Sequence, residues 1–116
     1  MNIFKRFRAM LRLKEAVRQA DKAHKKTGER YYVMPNGNTG KLIIMDRFNF
    51  RKIKKKGYVS QNAIIQNLIF ECFYCTPYRN GDGMLPKSVI DLKRKQYMSW
   101  IILLEKNKGN GKVRKH

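Results

Sequence analysis

The sequence predicts an α+β domain: a basic N-terminal helix packed on a β-hairpin, with room for a third strand, and two or three further helices. Three observations predict it. Apolar residues recur at helical spacing from Ile3 to His24. Two short runs of aromatic and branched residues flank the turn-rich segment Pro35-Asn36-Gly37-Asn38-Thr39-Gly40. The stretch from Gly57 to Tyr78 has no Lys or Arg and one acid, Glu71, which marks it as the apolar centre.

The first helix is expected from residue 3 to about 26. Ile3, Phe7, Met10, Leu13, Val17, Ala20 and His24 form its stripe, widened by Phe4 and Leu11, and Gly28 stops it. Strands at Arg30–Met34 and Lys41–Asp46 follow. Alternation places Tyr31 and Val33 on one face and Leu42 and Ile44 on one face of the partner strand. A two-stranded hairpin is marginal alone, so a helix or a third strand must cover it. Asp46 is positioned to cap a helix from Arg47 to about Lys56, stopped by Gly57. Ser60 is positioned to cap another, from near Gln61 to Thr76-Pro77, with Ile64, Ile65, Leu68, Ile69 and Cys72 on one side. Ser88, with Asp91 three residues on, opens a last segment. Its apolar run Trp100–Leu104 reads either as helix continuing to Lys106 or as a buried strand, and the hairpin's need of a partner favours the strand. The expected core is Phe7, Leu11, Val17, Tyr31, Val33, Leu42, Ile44, Ile53, Ile65, Leu68, Ile69, Trp100 and Ile102. Residues 1–106 read as one domain and 107–116 as a basic, disordered tail.

Charge dominates the functional reading. The 116 residues hold 27 Lys and Arg against 8 Asp and Glu, a net charge of +19. So much like charge opposes folding unless a polyanion offsets it. A hydrophobic content of 42% excludes a wholly disordered polycation. No apolar run approaches the roughly 18 residues of a membrane span, and nothing resembles a secretory leader, so a cytoplasmic protein is expected.

The cations fall in three stripes: the first helix with Arg8 and Arg12; the block Arg47, Arg51, Lys52, Lys54, Lys55 and Lys56; and Lys93, Arg94 and Lys95. A solvated helix face normally mixes both signs, whereas these have few acids among them. The pattern points to a nucleic-acid partner, DNA or RNA, held through phosphates and largely without sequence preference. Tyr32 is the candidate for stacking on bases, because alternation turns it from the expected core face. Phe48 and Phe50 are expected to be core. An acidic protein partner is the second reading. A third places the first helix on a membrane surface, since Phe4, Phe7, Met10 and Leu11 oppose Lys and Arg. Packing of that face on the hairpin is the preferred account.

Cys72-Phe73-Tyr74-Cys75 has the spacing of half a zinc site, but His24 and His116 are poorly spaced to complete it. A redox pair belongs at a helix N-terminus, whereas this one lies toward a helix C-terminus. Structural thiols are the expectation. The segment Gly37-Asn38-Thr39-Gly40-Lys41-Leu42 lacks the Ser or Thr of a phosphate-binding loop. With no nucleophile–base set visible, neither enzymatic activity nor a cofactor is expected.

Three segments, Gly28-Glu29-Arg30-Tyr31-Tyr32-Val33-Met34-Pro35, Lys41-Leu42-Ile43-Ile44-Met45-Asp46-Arg47 and Glu71-Cys72-Phe73-Tyr74-Cys75-Thr76-Pro77, together resemble small basic proteins of gut Bacteroidota and their phages. No function attaches to those proteins, so the resemblance implies no site residues. It implies a phage or mobile-element setting, compatible with DNA or RNA handling or with a virion-associated assembly role.

Overall fold

A computed structural model describes residues 2–37, 39–55 and 65–114, with side chains for 2–37, 39–52 and 68–107. The elements are α1 (Ile3–Thr27), β1 (Tyr32–Pro35), β2 (Leu42–Met45), α2 (Arg47–Lys55), α3 (Ile65–Glu71), β3 (Tyr74–Cys75) and α4 (Lys87–Arg114). The strands form an antiparallel sheet in the order β2-β1-β3. This is the α+β architecture that the sequence predicts.

Local chemistry sets the element ends. The Asn2 side chain accepts the Lys5 backbone N–H and starts α1. At the other end Gly28, at φ 78°, donates its N–H to the His24 carbonyl. His24 is occupied as well, its Nδ1 donating to the Glu29 carbonyl at 2.8 Å. Asp46 caps α2 through the Asn49 N–H, as expected. The expected start of the third helix at Ser60-Gln61 lies outside the described residues.

The sheet is covered on both faces. Val33 of β1, with Tyr31, Leu42, Ile44, Phe73 and Tyr74, packs against α1 and α4. Tyr32 and Met34, with Met45 and Cys75, pack against Phe50 of α2 and Leu68 and Cys72 at the end of α3. Register agrees with this sorting: Val33 stands opposite Ile44 and Tyr74, and Tyr32 opposite Met45 and Cys75. The expected face shared by Tyr31, Val33, Leu42 and Ile44 is present, although Leu42 stands opposite Pro35. The second covered face is the new element.

Four expectations are corrected. The third strand is Tyr74–Cys75 rather than the Trp100 run. α3 ends at Glu71, ahead of the expected Thr76-Pro77, because the chain then pairs with β1: Phe73 N–H meets the Val33 carbonyl and Thr76 N–H the Tyr31 carbonyl. That occupies the free edge of β1. Residues 100–104 therefore stay helical in α4, with Lys93, Tyr97 and Ile101 buried along one side. The change of period exchanges Ile102, 37% exposed, for Ile101, 6% exposed. The helix continues to Arg114, into the segment read as a tail.

The fourth correction concerns how α1 is turned. Its buried residues are Ala9, Leu13 and Ala20, not Phe7 and Leu11. Ala9 and Ala20 are wholly buried, and the Tyr97 hydroxyl donates to the Ala9 carbonyl at 2.6 Å. The α1 backbone thus lies too close to its neighbours for Phe on that side. Phe4, Phe7 and Leu11 face solvent instead. Val17, Tyr31, Leu42, Ile44, Ile69 and Trp100 are half-buried, whereas Val33 and Leu68 are buried as expected. The side chains of Ile53 and Ile65 lie outside those described.

This orientation is testable by thermal or denaturant unfolding. Leu13→Ala removes a buried side chain and is expected to cost about 2–4 kcal/mol. Phe7→Ala is expected to change stability by no more than about 0.5 kcal/mol, as for an exposed position. The reverse order would restore the orientation read from the apolar stripe.

Candidate nucleic-acid interface

The predicted phosphate contacts that fall among the described residues have a place. On α1, Arg8 and Arg12 are exposed. On α2, Arg47, Arg51 and Lys52 are exposed. The side chains of Lys54 and Lys55, and Lys56 altogether, lie outside the described residues. Arg94 and Lys95 are exposed on α4. The three stripes do not converge, because α2 lies on one side of the sheet and α1 and α4 lie on the other.

Two predicted residues are withdrawn from the surface. Lys93 is 6% exposed, and its ammonium donates to the carbonyls of Ile69 at 2.7 Å and Cys72 at 2.9 Å. It ties α4 to the open C-terminal end of α3, where a cation suits both the unpaired carbonyls and the helix dipole. The apolar stem of lysine reaches across the interface and only its head is polar. Tyr32 is 2% exposed. Alternation did turn it from Val33, but toward a second core rather than toward water.

The solvent side of α2 carries the densest charge. Phe50 fills the core as expected, but Phe48 is 52% exposed, and the Arg47 guanidinium lies 6.0 Å from its ring centroid. Arg51 and Lys52 stand one turn on, with no acid between residues 47 and 55. The face is therefore an open aromatic ring set among cations.

Arg47 also belongs to a groove of about 690 Å³, lined by Gly28, Glu29, Arg30, Tyr32, Arg47, Tyr78, Arg79, Asn80 and Asp82. The end of α1, the start of β1, the start of α2 and the β3–α4 loop meet there. Gly28 has to be glycine: its φ is positive, and a Cβ would stand 2.8 Å from Arg79 Nε. Arg79 donates to the Thr27 carbonyl and pairs with Glu29 at 3.4 Å. The Asp82 carboxylate accepts from Asn80 within its own turn. Tyr78, 45% exposed, presents a second aromatic ring.

Arg30 is the unusual residue. It is 8% exposed, and its guanidinium lies 4.3 Å from the Tyr78 ring centroid and 5.6 Å from that of Tyr32. Its Nη2 donates to the Gly83 carbonyl and to Cys75 Sγ, each at 3.0 Å, and its buried Nε has no partner. Burial works against its charge, but the Cys75 sulfur, Tyr78 and Tyr32 outweigh it and hold its pKa above the ordinary value. Burial raises the Tyr32 phenol to about 12, with Arg30 opposing the rise.

The two cysteines are buried and unbridged. The Cys72 thiol lowers the pKa of Cys75 to about 6, helped by Arg30 and Lys93 and opposed by burial. Cys72 moves upward, through Cys75 and through burial. Among the described residues no three His, Cys, Asp or Glu side chains come together as a metal site.

Sequence reading assigned Phe48 to the core, which its 52% exposure corrects, and passed over Arg30, Tyr78 and Arg79. Phe48 and Phe50 look alike in sequence, and only the turn of α2 separates them. Arg30 and Tyr78 are 48 residues apart, and their contact depends on β3 pairing with β1. Compared with protein-family models, curated proteins and solved structures, the chain matches none.

The lowered pKa of Cys75, set first by the Cys72 thiol and then by Arg30 and Lys93, has a measurable consequence. The folded pKa of Cys75 lies below the value of about 8.5 for an unfolded thiol. Its contribution to stability is therefore complete above about pH 8.5 and is lost as the pH falls through about 6. Unfolding free energies measured across that window should show wild type gaining on Cys75→Ser as pH rises. A pH-independent difference would contradict the lowered pKa.

Proposed function

We propose that this protein binds nucleic acid without marked sequence preference, through a surface running from α2 into the groove beside it. On this reading it is a binding protein rather than an enzyme. The observation that carries the reading is the exposed Phe48 ring among Arg47, Arg51 and Lys52. Burial of Phe50, two residues on, turns Phe48 to the opposite side of α2, where its ring is open to a partner.

Arithmetic supports a polyanion as partner. Even if every acid in the chain neutralised one cation, 19 cations would remain. Arg47, Arg51 and Lys52 supply positive charge for phosphates, and their binding releases counterions. Phe48 and Tyr78 supply faces on which unpaired bases stack. Because stacking needs bases out of the duplex, the preferred form is single-stranded or looped.

The test is a titration of labelled single-stranded and duplex oligonucleotides at several salt concentrations. With one phosphate on each of Arg47, Arg51 and Lys52, affinity for single strands should fall at least about 20-fold between 50 and 200 mM salt. Phe48→Ala should weaken single-strand binding by about 1–3 kcal/mol and affect duplex less. Arg51→Ala should lower the salt slope by about 0.7 on single strands. A flat salt response, or equal losses on both substrates for Phe48→Ala, would defeat the reading.

A further inference from the structure

The outward face of α1 has no role in the fold or in the proposed interface. Ile3, Phe4, Phe7 and Leu11 are 75%, 72%, 63% and 48% exposed, on the side away from Ala9, Leu13 and Ala20. Contiguous exposed apolar side chains of this size mark an interaction surface. The same segment supplies Lys5, Arg6, Arg8, Arg12 and Lys14, and from residue 2 to residue 14 there is no acid. Lys5 is paired with Glu105 and Arg18 with Glu15, which leaves cations in excess beside the apolar ridge, the chemistry of a helix that lies in the plane of an anionic bilayer.

A second feature continues that face inward. Phe7 and Leu11 form part of the wall of a cleft of about 440 Å³ that reaches Phe73 and Ile90, with Lys14 and Arg94 as its charged members. An apolar cleft whose ionic groups are both positive suits an acyl chain attached to an anionic headgroup. It does not suit a second copy of this chain, which would bring five more cations against the first five. Among the described residues no helix is long and apolar enough to cross a membrane, so the contact is peripheral.

We propose that the first three turns of α1 dock this protein on anionic phospholipid surfaces. Phe4, Phe7 and Leu11 enter the headgroup–acyl boundary, and the flanking lysines and arginines meet lipid phosphates. This surface is separate from α2 and the groove beside it, so the two proposals stand or fall independently.

Vesicle flotation of the full chain, freed of nucleic acid by nuclease, tests it. Binding is expected on phosphatidylcholine vesicles containing phosphatidylglycerol and not on phosphatidylcholine alone. Phe4→Glu with Phe7→Glu should lower binding at least about tenfold, since binding scales with inserted apolar area. Because both rings are exposed, the melting temperature and oligonucleotide affinity should be unchanged. Phe48→Ala should leave flotation intact. Absence of flotation would overturn the proposal, as would undiminished binding by the double variant, which would make charge alone responsible. Unfolding of both the double Glu variant and Phe4→Ser with Phe7→Ser would assign the face to the core instead. Sedimentation showing a dimer that the double variant abolishes would assign it to a second copy.

Discussion

β1 is buried on both faces, and the rest of the molecule is arranged around that constraint. A strand of four residues flanked by β2 and β3 sends Val33 into one core and Tyr32 and Met34 into another. Helices must therefore cover both sides. α1 and α4 share the Val33 side, and α1 fits there by packing alanines rather than aromatics. α2 and α3 take the Tyr32 side, which burial of Phe50, Leu68 and Cys72 seals. The surfaces proposed for binding are the remainders of this packing: the outer side of α2 with Phe48, and the outer side of α1 with Phe4 and Phe7.

The same constraint decides how an excess of positive charge is accommodated. Among the described residues, ion pairs join Lys5 to Glu105, Arg18 to Glu15 and Arg79 to Glu29, and all three lie at the surface. Exposed pairs of this kind contribute little. The two buried cations use other partners. Lys93 is held by two carbonyls, and Arg30 by a carbonyl, a sulfur and two aromatic rings. Arg30 binds the Gly83 loop to the sheet and Lys93 binds the end of α3 to α4, so each cation has become part of the structure. What remains exposed is a surplus that the protein does not neutralise internally.

Much of the fold was legible in the sequence because local signals and tertiary packing agree. Helical spacing, Gly28 and the Asp46 cap locate α1 and α2, and the turn residues 35–40 locate the hairpin. Where two solutions share one local pattern, the sequence could not separate them. Trp100–Leu104 suits a strand until β3 takes the edge of β1. The stripe through Phe7 and Leu11 suits the core until Ala9 and Ala20 bring the helix closer. For the candidate site the sequence showed the cationic block of α2 and its two phenylalanines, but not that Phe48 faces outward while Phe50 fills the core. Lys93 and Tyr32 were misplaced for a related reason, since a second core on the far side of the sheet is invisible to alternation alone. The groove joins residues from three distant segments, which no local pattern connects.

Chemical-shift mapping tests the central claim most directly. Adding a short single-stranded oligonucleotide to isotope-labelled protein should perturb amides near residues 28–32, 47–52 and 78–82, with the described remainder little changed. Perturbation confined to α1 and α4, or spread evenly over the molecule, would contradict the account.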